Sequence, residues 1–492
     1  MEEISNRSCF IRIKERLADN SKLLLIDKDG SYSRQQAYEI YSGLLNELSS
    51  LINKGEVCLI APFVRKETVL IAAAIISLGG IVLFGDPHIT LEDYLDSIKC
   101  KTGVDVLIGF KDEKWIVTKD DQDNELSLTP QKLVKKPSYI AEKDIPSLYV
   151  LTSGSTGKST LVAISEFAFI NHIVREIDDI GQDHTCSYGC LPLNHIFGFA
   201  LYLQHLIMGK TIYLSESRNP DLALDMIEKY HCSAIGNVPT FFHMLIEAQH
   251  KNPRDISSLK YGVLAGGGYT KEQFLNIEKE LGISLCSSYG MTEASTVITN
   301  SPSAWPIEER CIGVGTPFPG VDVVFKDDNG NIDPNEGEIC FKGYNLMLGY
   351  VEKGELVLPL DDEGYFHTGD IGMKDHKGVY HIIDRKKNII IRGGENLSPY
   401  TIEKKIIRID GIKDVVVTGI PDEKYGEVPA AYIVSDVYKN TDELLKILKK
   451  ALPKNEVPYI LIIDDNIPLL SNGKHDRMRI RNLFIGKDAK NK

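Results

Sequence analysis

A chain of 492 residues is too long for one hydrophobic core and predicts two to four domains. Its formal charge of −13, with no dense Lys/Arg block, excludes nucleic-acid binding and an anionic-membrane partner, because both need a positive footprint. Nine scattered cysteines, an odd count without a signal peptide, read as buried free thiols in a reducing compartment, so a cytoplasmic location is expected. Cys186 and Cys190 are the only close pair, and they lack the second pair or His couplet that a zinc site needs.

Along the first two thirds, apolar helical stretches alternate with short β-rich runs: VCLIAPF, GIVLFGDP, DVLIGF, SLYVLT, SYGCLPL and KTIYLSES. That alternation predicts an α/β fold of doubly wound, largely parallel sheets. The longest apolar stretch, residues 69–84, is broken by Gly79-Gly80. It reads as a buried helix, a glycine turn and a buried strand, since a turn inside lipid would strand backbone polar groups and no membrane insertion is expected.

Residues 151–160, LTSGSTGKST, resemble a Walker phosphate loop but carry Thr152 where the first glycine belongs. The β-branched run after Lys158 predicts a strand, with the next helix delayed until Ser165 as its N-cap, whereas a Walker lysine opens a helix. The loop instead offers hydroxyls from Thr152, Ser153, Ser155 and Thr156 among Gly154 and Gly157, a set that can wrap phosphate oxygens. Taken alone, it reads first as a polar hairpin turn.

From about Cys311, short strands with Gly/Pro/Asn turns predict a small β-barrel, and after Arg385 a compact α+β pattern returns. The expected division is therefore residues 1–384, an N-terminal domain holding nucleotide and acyl pockets, and residues 385–492, a small mobile C-terminal domain. Gly266, Gly267 and Gly268, at the end of an apolar run, permit close approach of a flat base, or form a plain strand-to-turn junction. His195, within LPLNHIFGF, reads by default as a satisfied core histidine.

Further segments follow in order: YGVLAGGG, SSYGMTEAS, GYFHTGDIG, DRKKNIIIRGGENLSP and LSNGKHDR. With the hydroxyl-rich loop and LPLNHIFGF, they resemble the adenylate-forming superfamily of acyl- and aryl-CoA synthetases, luciferases and adenylation domains. The resemblance spans nearly the whole chain. It implies an AMP-forming ligase that activates a carboxylic acid with ATP and Mg2+ to an acyl-adenylate and hands the acyl group to a thiol, CoA foremost. The phosphopantetheine of an acyl carrier protein is the alternative acceptor, and a catalytically weak ATP-binding protein the alternative of another class.

The resemblance also implies roles. The loop from Thr152 to Gly157 and the three glycines would bind ATP together with Ser288, Tyr289, Gly290 and Met291. Tyr289 would stack on adenine, Thr292 would meet the α-phosphate, and Glu293 would hold the metal. Asp370, in the loop after FHTG, and Arg385 would take the ribose. His195, Phe197, Val238 and Pro239 would line the acid pocket. Lys474 would bridge carboxylate and α-phosphate, Lys387 would be the hinge, and Gly393-Gly394 would line the approach of the thiol. Three departures stand out: Ser159-Thr160 replace the usual Pro-Lys, Asn388 replaces an acid, and Ile391 stands where some CoA-using members carry lysine.

Overall fold

The computed structural model describes residues 4–17, 21–98, 101–134, 137, 140–153, 159–180, 185–469 and 475–491. Gly154, Ser155, Thr156, Gly157 and Lys474 lie outside the described residues. The chain divides into two compact units: Met1–Gly266, Glu272–Asp322 and Lys342–Phe366 form the first, and Gly267–Lys271, Val323–Phe341 and His367–Lys492 the second.

The first unit contains two nine-stranded sheets. One runs Thr316–Pro317, Thr296–Ser301, Ser284–Met291, Tyr261–Ala265, Ala234–Asn237, Cys186–Gly189, Thr211–Leu214, Leu23–Asp27, Gly30–Ser33. Its six strands from Ser284–Met291 to Leu23–Asp27 are parallel neighbours. The helices Ile196–Met208, Pro220–Tyr230, Pro239–Lys251 and Lys271–Leu281 make the crossovers that parallel pairing requires. The other sheet runs Glu355–Val357, Gly349–Glu352, Ser159–Ser165, Pro146–Ser153, Ile81–Phe84, Val57–Ile60, Val106–Lys111, Lys114–Lys119, Gln122–Glu125.

The apolar stretch 69–84 forms, as its composition predicts, the helix Lys66–Leu78, a left-handed Gly79 at φ 81°, and the strand Ile81–Phe84. This helix is buried on all sides, and the buried ammonium of Lys66 is paired with Asp27 at 2.9 Å and Glu67 at 3.1 Å, as a charge out of water must be. Among the described residues no helix is long and apolar enough to cross a membrane. The described cysteines are free and buried, and no group of three potential metal ligands occurs among the described residues.

The middle region expected as a small barrel is a five-stranded sheet, ordered Ile332–Asp333, Val321–Lys326, Glu336–Gly343, Phe366–Lys374, Tyr380–Arg385, with two end strands. The C-terminal part of the second unit has its own sheet: Glu395–Leu397, Ile390–Arg392, Gly426–Ser435, Ile412–Asp422, with Ile460–Asp464 added parallel to Gly426–Ser435. Strand alternation sends Val417, Ala431 and Ile433 into one apolar cluster and Val416, Ala430 and Tyr432 into another. The first is covered by the helices Pro399–Ile406 and Thr441–Ala451, the second by Ile480 and Phe484 of the helix Arg477–Asn491.

Ser165 caps the helix Glu166–Ile180 by accepting from Ala168 N at 3.2 Å, as expected. Glu166 itself is buried, and desolvation pushes its carboxyl up to about 7, against the pull of the Cys9 and Glu142 N–H groups and of Arg12. A carboxyl raised in the folded state stabilises fully below its unfolded value, near 4.5, and loses that contribution as pH rises through 7. The full swing is about 3 kcal/mol. We predict that Glu166→Gln melts with the wild type near pH 4.5 and above it by pH 8; parallel melting curves across that range would refute this.

Candidate functional site

The hydroxyl-rich loop joins a β-hairpin. Pro146–Ser153 and Ser159–Ser165 pair antiparallel, with Thr152 opposite Thr160 and Ser153 opposite Ser159, so residues 154–158 connect two paired strand ends. Thr152 Oγ1 donates to Thr160 O at 3.2 Å. Strand follows loop, and the helix waits until Glu166, which is the context predicted against a Walker loop.

The segment SSYGMTEAS completes a strand and then turns sharply. Ser288, Tyr289, Gly290 and Met291 end the strand Ser284–Met291, whose register slips between Tyr289 and Gly290. A Cβ at Gly290 would overlap the Thr296 carbonyl, so only glycine fits there. Thr292–Ala294 is a turn of 3-10 helix closed by Ser295 at φ 59°, and Thr292 and Glu293 are both buried.

What brings these two loops together is a segment that the sequence reading passed over, residues 345–350. Met347 N donates to Glu293 O at 2.8 Å, Leu348 N donates to Ala163 O at 2.8 Å, and Gly349 and Tyr350 pair with Ala163 and Val162. Fully buried Asn345 donates to Ala294 O at 3.0 Å and Val297 O at 3.2 Å, and Ser295 Oγ donates to Asn345 O at 2.8 Å. Tyr350 OH donates to Glu293 Oε1 at 3.0 Å, and burial, then the neighbouring Glu293 charge, push the phenol well above its usual range. Thr292 and Glu293 thus offer hard oxygen ligands beside the hydroxyl-rich hairpin, a donor set that fits Mg2+. Only the bare GYNLMLGY pattern signalled this segment.

His195 precedes the helix Ile196–Met208, with an extended backbone and no side-chain cap. A Cβ at Gly198 would overlap the Pro192 carbonyl, so glycine lets residues 191–195 fold against the first helical turn. His195 lines a narrow crevice with Phe84, Tyr149 and Leu151, placing it beside the hairpin's first strand. Phe197 lies against Gly236, on the strand that leads into buried Val238 and Pro239, the start of the helix Pro239–Lys251. Gly266 takes φ 76° at the end of Tyr261–Ala265.

In the second unit Asp370 is not in a loop, as expected, but inside the strand Phe366–Lys374, because Gly369 at φ 73° continues into a paired ladder. It lies opposite Arg385, and Arg385 Nε meets Asp370 Oδ1 at 2.9 Å. Lys387 sits exposed in a short 3-10 turn, Lys386–Asn388, and partial desolvation by its neighbours, then the Arg385 charge, hold its ammonium below the usual lysine range. Asp384, just before it, accepts from Arg385 N at 2.7 Å, Ser398 Oγ at 2.7 Å and Tyr400 N at 2.8 Å. Gly393 and Gly394, both with positive φ, form the two-residue tip between Ile390–Arg392 and Glu395–Leu397. Gly268 packs so close to Tyr400 that an added Cβ would lie 2.6 Å from its ring, and Tyr400 OH donates to Tyr269 O at 2.9 Å. Leu469 and His475 bridge the chain on either side of the segment that carries Lys474, and Arg477, partly exposed, pairs with buried Glu403 at 2.8 Å.

The sequence matches the AMP-binding enzyme family over residues 16–351 and the AMP-binding enzyme C-terminal domain over residues 401–474. The chain belongs to the AMP-binding enzyme family. It is 33% identical over 342 residues, 68% of this chain and 67% of the relative, to 2-succinylbenzoate--CoA ligase of Staphylococcus aureus (strain JH9). Its fold resembles o-succinylbenzoate CoA synthetase of Bacillus subtilis in complex with its acyl-adenylate intermediate, at TM-score 0.81, 22% identity and coverage of 96% and 98% of the two chains. ATP-bound MatB from Rhodopseudomonas palustris matches at TM-score 0.83, 22% identity, and 98% and 99% coverage. The expected superfamily and fold are borne out, and the chain is an acid-activating, AMP-forming ligase of the acyl-CoA synthetase type.

The Tyr350 phenol is placed to orient the Glu293 carboxylate. A hydrogen bond that orients a ligating carboxylate is typically worth about 10- to 100-fold in metal affinity. We predict that Tyr350→Phe raises the Mg2+ concentration for half-maximal adenylation by about that factor. An unchanged magnesium titration would show that Tyr350 serves packing alone.

Proposed function

We propose that this enzyme activates an aryl acid of the 2-succinylbenzoate kind with MgATP and passes the acyl group from its adenylate to CoA. The named relatives support the acid and the acceptor, and the observation that carries the reading is the stitching of the phosphate hairpin to the Thr292-Glu293 turn by residues 345–350. A cytoplasmic setting suits its buried reduced cysteines.

The hairpin residues from Thr152 to Gly157 hold the phosphates, and Thr292 donates its hydroxyl to the α-phosphate. Glu293, oriented by Tyr350, holds Mg2+, which screens the phosphate charge when bound. The glycines 266–268 with Ser288, Tyr289, Gly290 and Met291 receive the base, and Asp370 and Arg385 the ribose. His195, Phe197, Val238 and Pro239 wall the acid. Lys474 serves to bridge the carboxylate and the α-phosphate, and so lowers the repulsion that opposes their reaction. Residues 385–492 move as the C-terminal domain about Lys387, presenting Gly393-Gly394 to the incoming thiol; Asp384 holds the chain firm just before that pivot.

The test is ATP/pyrophosphate exchange with 2-succinylbenzoate, benzoate, a fatty acid and an amino acid, followed by thiol transfer to CoA or to a carrier-bound phosphopantetheine. Exchange should be fastest with 2-succinylbenzoate, and CoA should accept the product. Preference for the amino acid or exclusive use of the carrier would overturn the reading. Lys474→Ala should slow adenylation about 100- to 1000-fold while sparing thiol transfer from supplied acyl-adenylate. Equal loss in both half-reactions would remove Lys474 from the first step.

A further inference from the structure

The sheet in the C-terminal part of the second unit has two ends. Ile412–Asp422 and Gly426–Ser435 pair antiparallel along their length, so Asp422 and Gly426 stand together at one end and Asp414 and Val434 near the other. His475 meets Asp414 at 2.9 Å and so belongs to the second end. Arg392, the last residue of the strand Ile390–Arg392, stands opposite Gly426 and belongs to the first, beside the Gly393-Gly394 tip. Eight residues of strand separate the ends, about 26 Å, which sets Arg392 well apart from Asp414 and His475.

Rings hold the Arg392 side chain. Its guanidinium carbon lies 4.3 Å from the ring centroid of Tyr425 and 5.7 Å from that of Tyr459, and the two rings meet edge to face at 6.5 Å. Its Nε is buried without a hydrogen-bond partner among the described residues, which here run unbroken from 185 to 469. Carboxylates in the same turns are engaged elsewhere. Glu395, opposite Arg392 in the hairpin, accepts from Asn455 Nδ2 at 2.8 Å, and Glu427 pairs with Arg481 at 3.3 Å. Asp422 accepts from Lys424 N at 2.9 Å and Tyr425 N at 2.8 Å. Gly393 N donates to Tyr425 O at 2.7 Å, which pins the tip to the same tyrosine. Aromatic faces restrict a guanidinium without using its N–H donors, so the planar fork is ordered and still has bonds to give. Tyr459 is 48% exposed and Lys424, whose Nζ lies 5.2 Å from the Tyr425 ring centroid, is exposed, so an incoming anion can reach the cluster and meets a second cation there.

We propose that Arg392, ordered by Tyr425 and Tyr459, recognises the phosphate groups of CoA and so selects it over thiols that lack them. A guanidinium fork matches phosphate oxygens in pairs. Gly394 at the neighbouring tip has open space where a Cβ would stand, which leaves room for an extended thiol arm to pass alongside. Arg392 is thus a specificity-determining residue of the second half-reaction. The inference rests on the reading of CoA as acceptor and of Gly393-Gly394 as the thiol's approach, and stands whatever acid the enzyme activates.

The test is steady-state thiol transfer by the full chain as wild type, Arg392→Met and Arg392→Lys, using the acid that supports the fastest pyrophosphate exchange. The acceptors are CoA and pantetheine, which has the same thiol arm and no phosphate. Arg392→Met keeps an unbranched stem between the rings and removes the fork. It should raise the KM for CoA about 10- to 100-fold, the effect of a lost charge-assisted contact, with kcat within twofold of wild type. Arg392→Lys should recover part of that loss. In both variants the KM for pantetheine and the rate of ATP/pyrophosphate exchange should stay within twofold of wild type. An equal loss with CoA and pantetheine would make Arg392 a packing residue of the hairpin and overturn the proposal, as would an unchanged KM for CoA. A wild type that exchanges pyrophosphate yet leaves CoA unused would overturn the acceptor reading too, and that failure shows without any variant.

Discussion

The first unit depends on six residues of backbone, 345–350, that join its two sheets. The hydroxyl-rich hairpin belongs to one sheet and the Thr292-Glu293 turn follows a strand of the other, so nothing in local structure obliges them to meet. Met347 and Leu348 donate in succession to a carbonyl on each side, and Asn345 and Ser295 tie the turn a second time. Buried donors and acceptors of this kind contribute about 1 kcal/mol each when paired and cost about 1–3 kcal/mol when left alone, so the junction resists partial opening. His172 adds a third tie, with Nε2 at 2.8 Å from Val297 O and Nδ1 at 2.9 Å from Tyr344 OH. Complete burial holds its pKa down to about 3, so the ring stays neutral and the tie does not change across the physiological range.

The parallel sheet divides its two edges between different tasks. Every crossover helix returns the chain to the N-terminal edge, and every strand delivers a loop to the C-terminal edge, so variable chemistry gathers at the latter. The N-terminal edge is ordinarily structural.

The C-terminal part of the second unit works as a stiff support. Its sheet is buried on both faces, and two internal carboxylates hold the segments that matter: Asp384 fixes the start of the linker and the cap of the helix Pro399–Ile406, and Glu403 fixes Arg477 just beyond the segment of Lys474. A reactive group on a short segment is placed well only when the base of that segment is rigid.

The sequence by itself determined the elements and the chemistry of single segments. The glycine break in residues 69–84, Ser165 as a cap, and the strand after Lys158 are local choices, made by propensity and capping, and all three stand in the structure. Motif order likewise placed the chain in its superfamily. Asp370 was legible as a residue but not as part of a strand, because its conformation is set by pairing with Tyr380–Arg385 rather than by its neighbours. Tyr350 and Asn345 were not legible at all. Nothing in GYNLMLGY says that a phenol will meet a carboxylate 57 positions away or that an amide will be fully buried, since both facts arise from the crossing of two sheets.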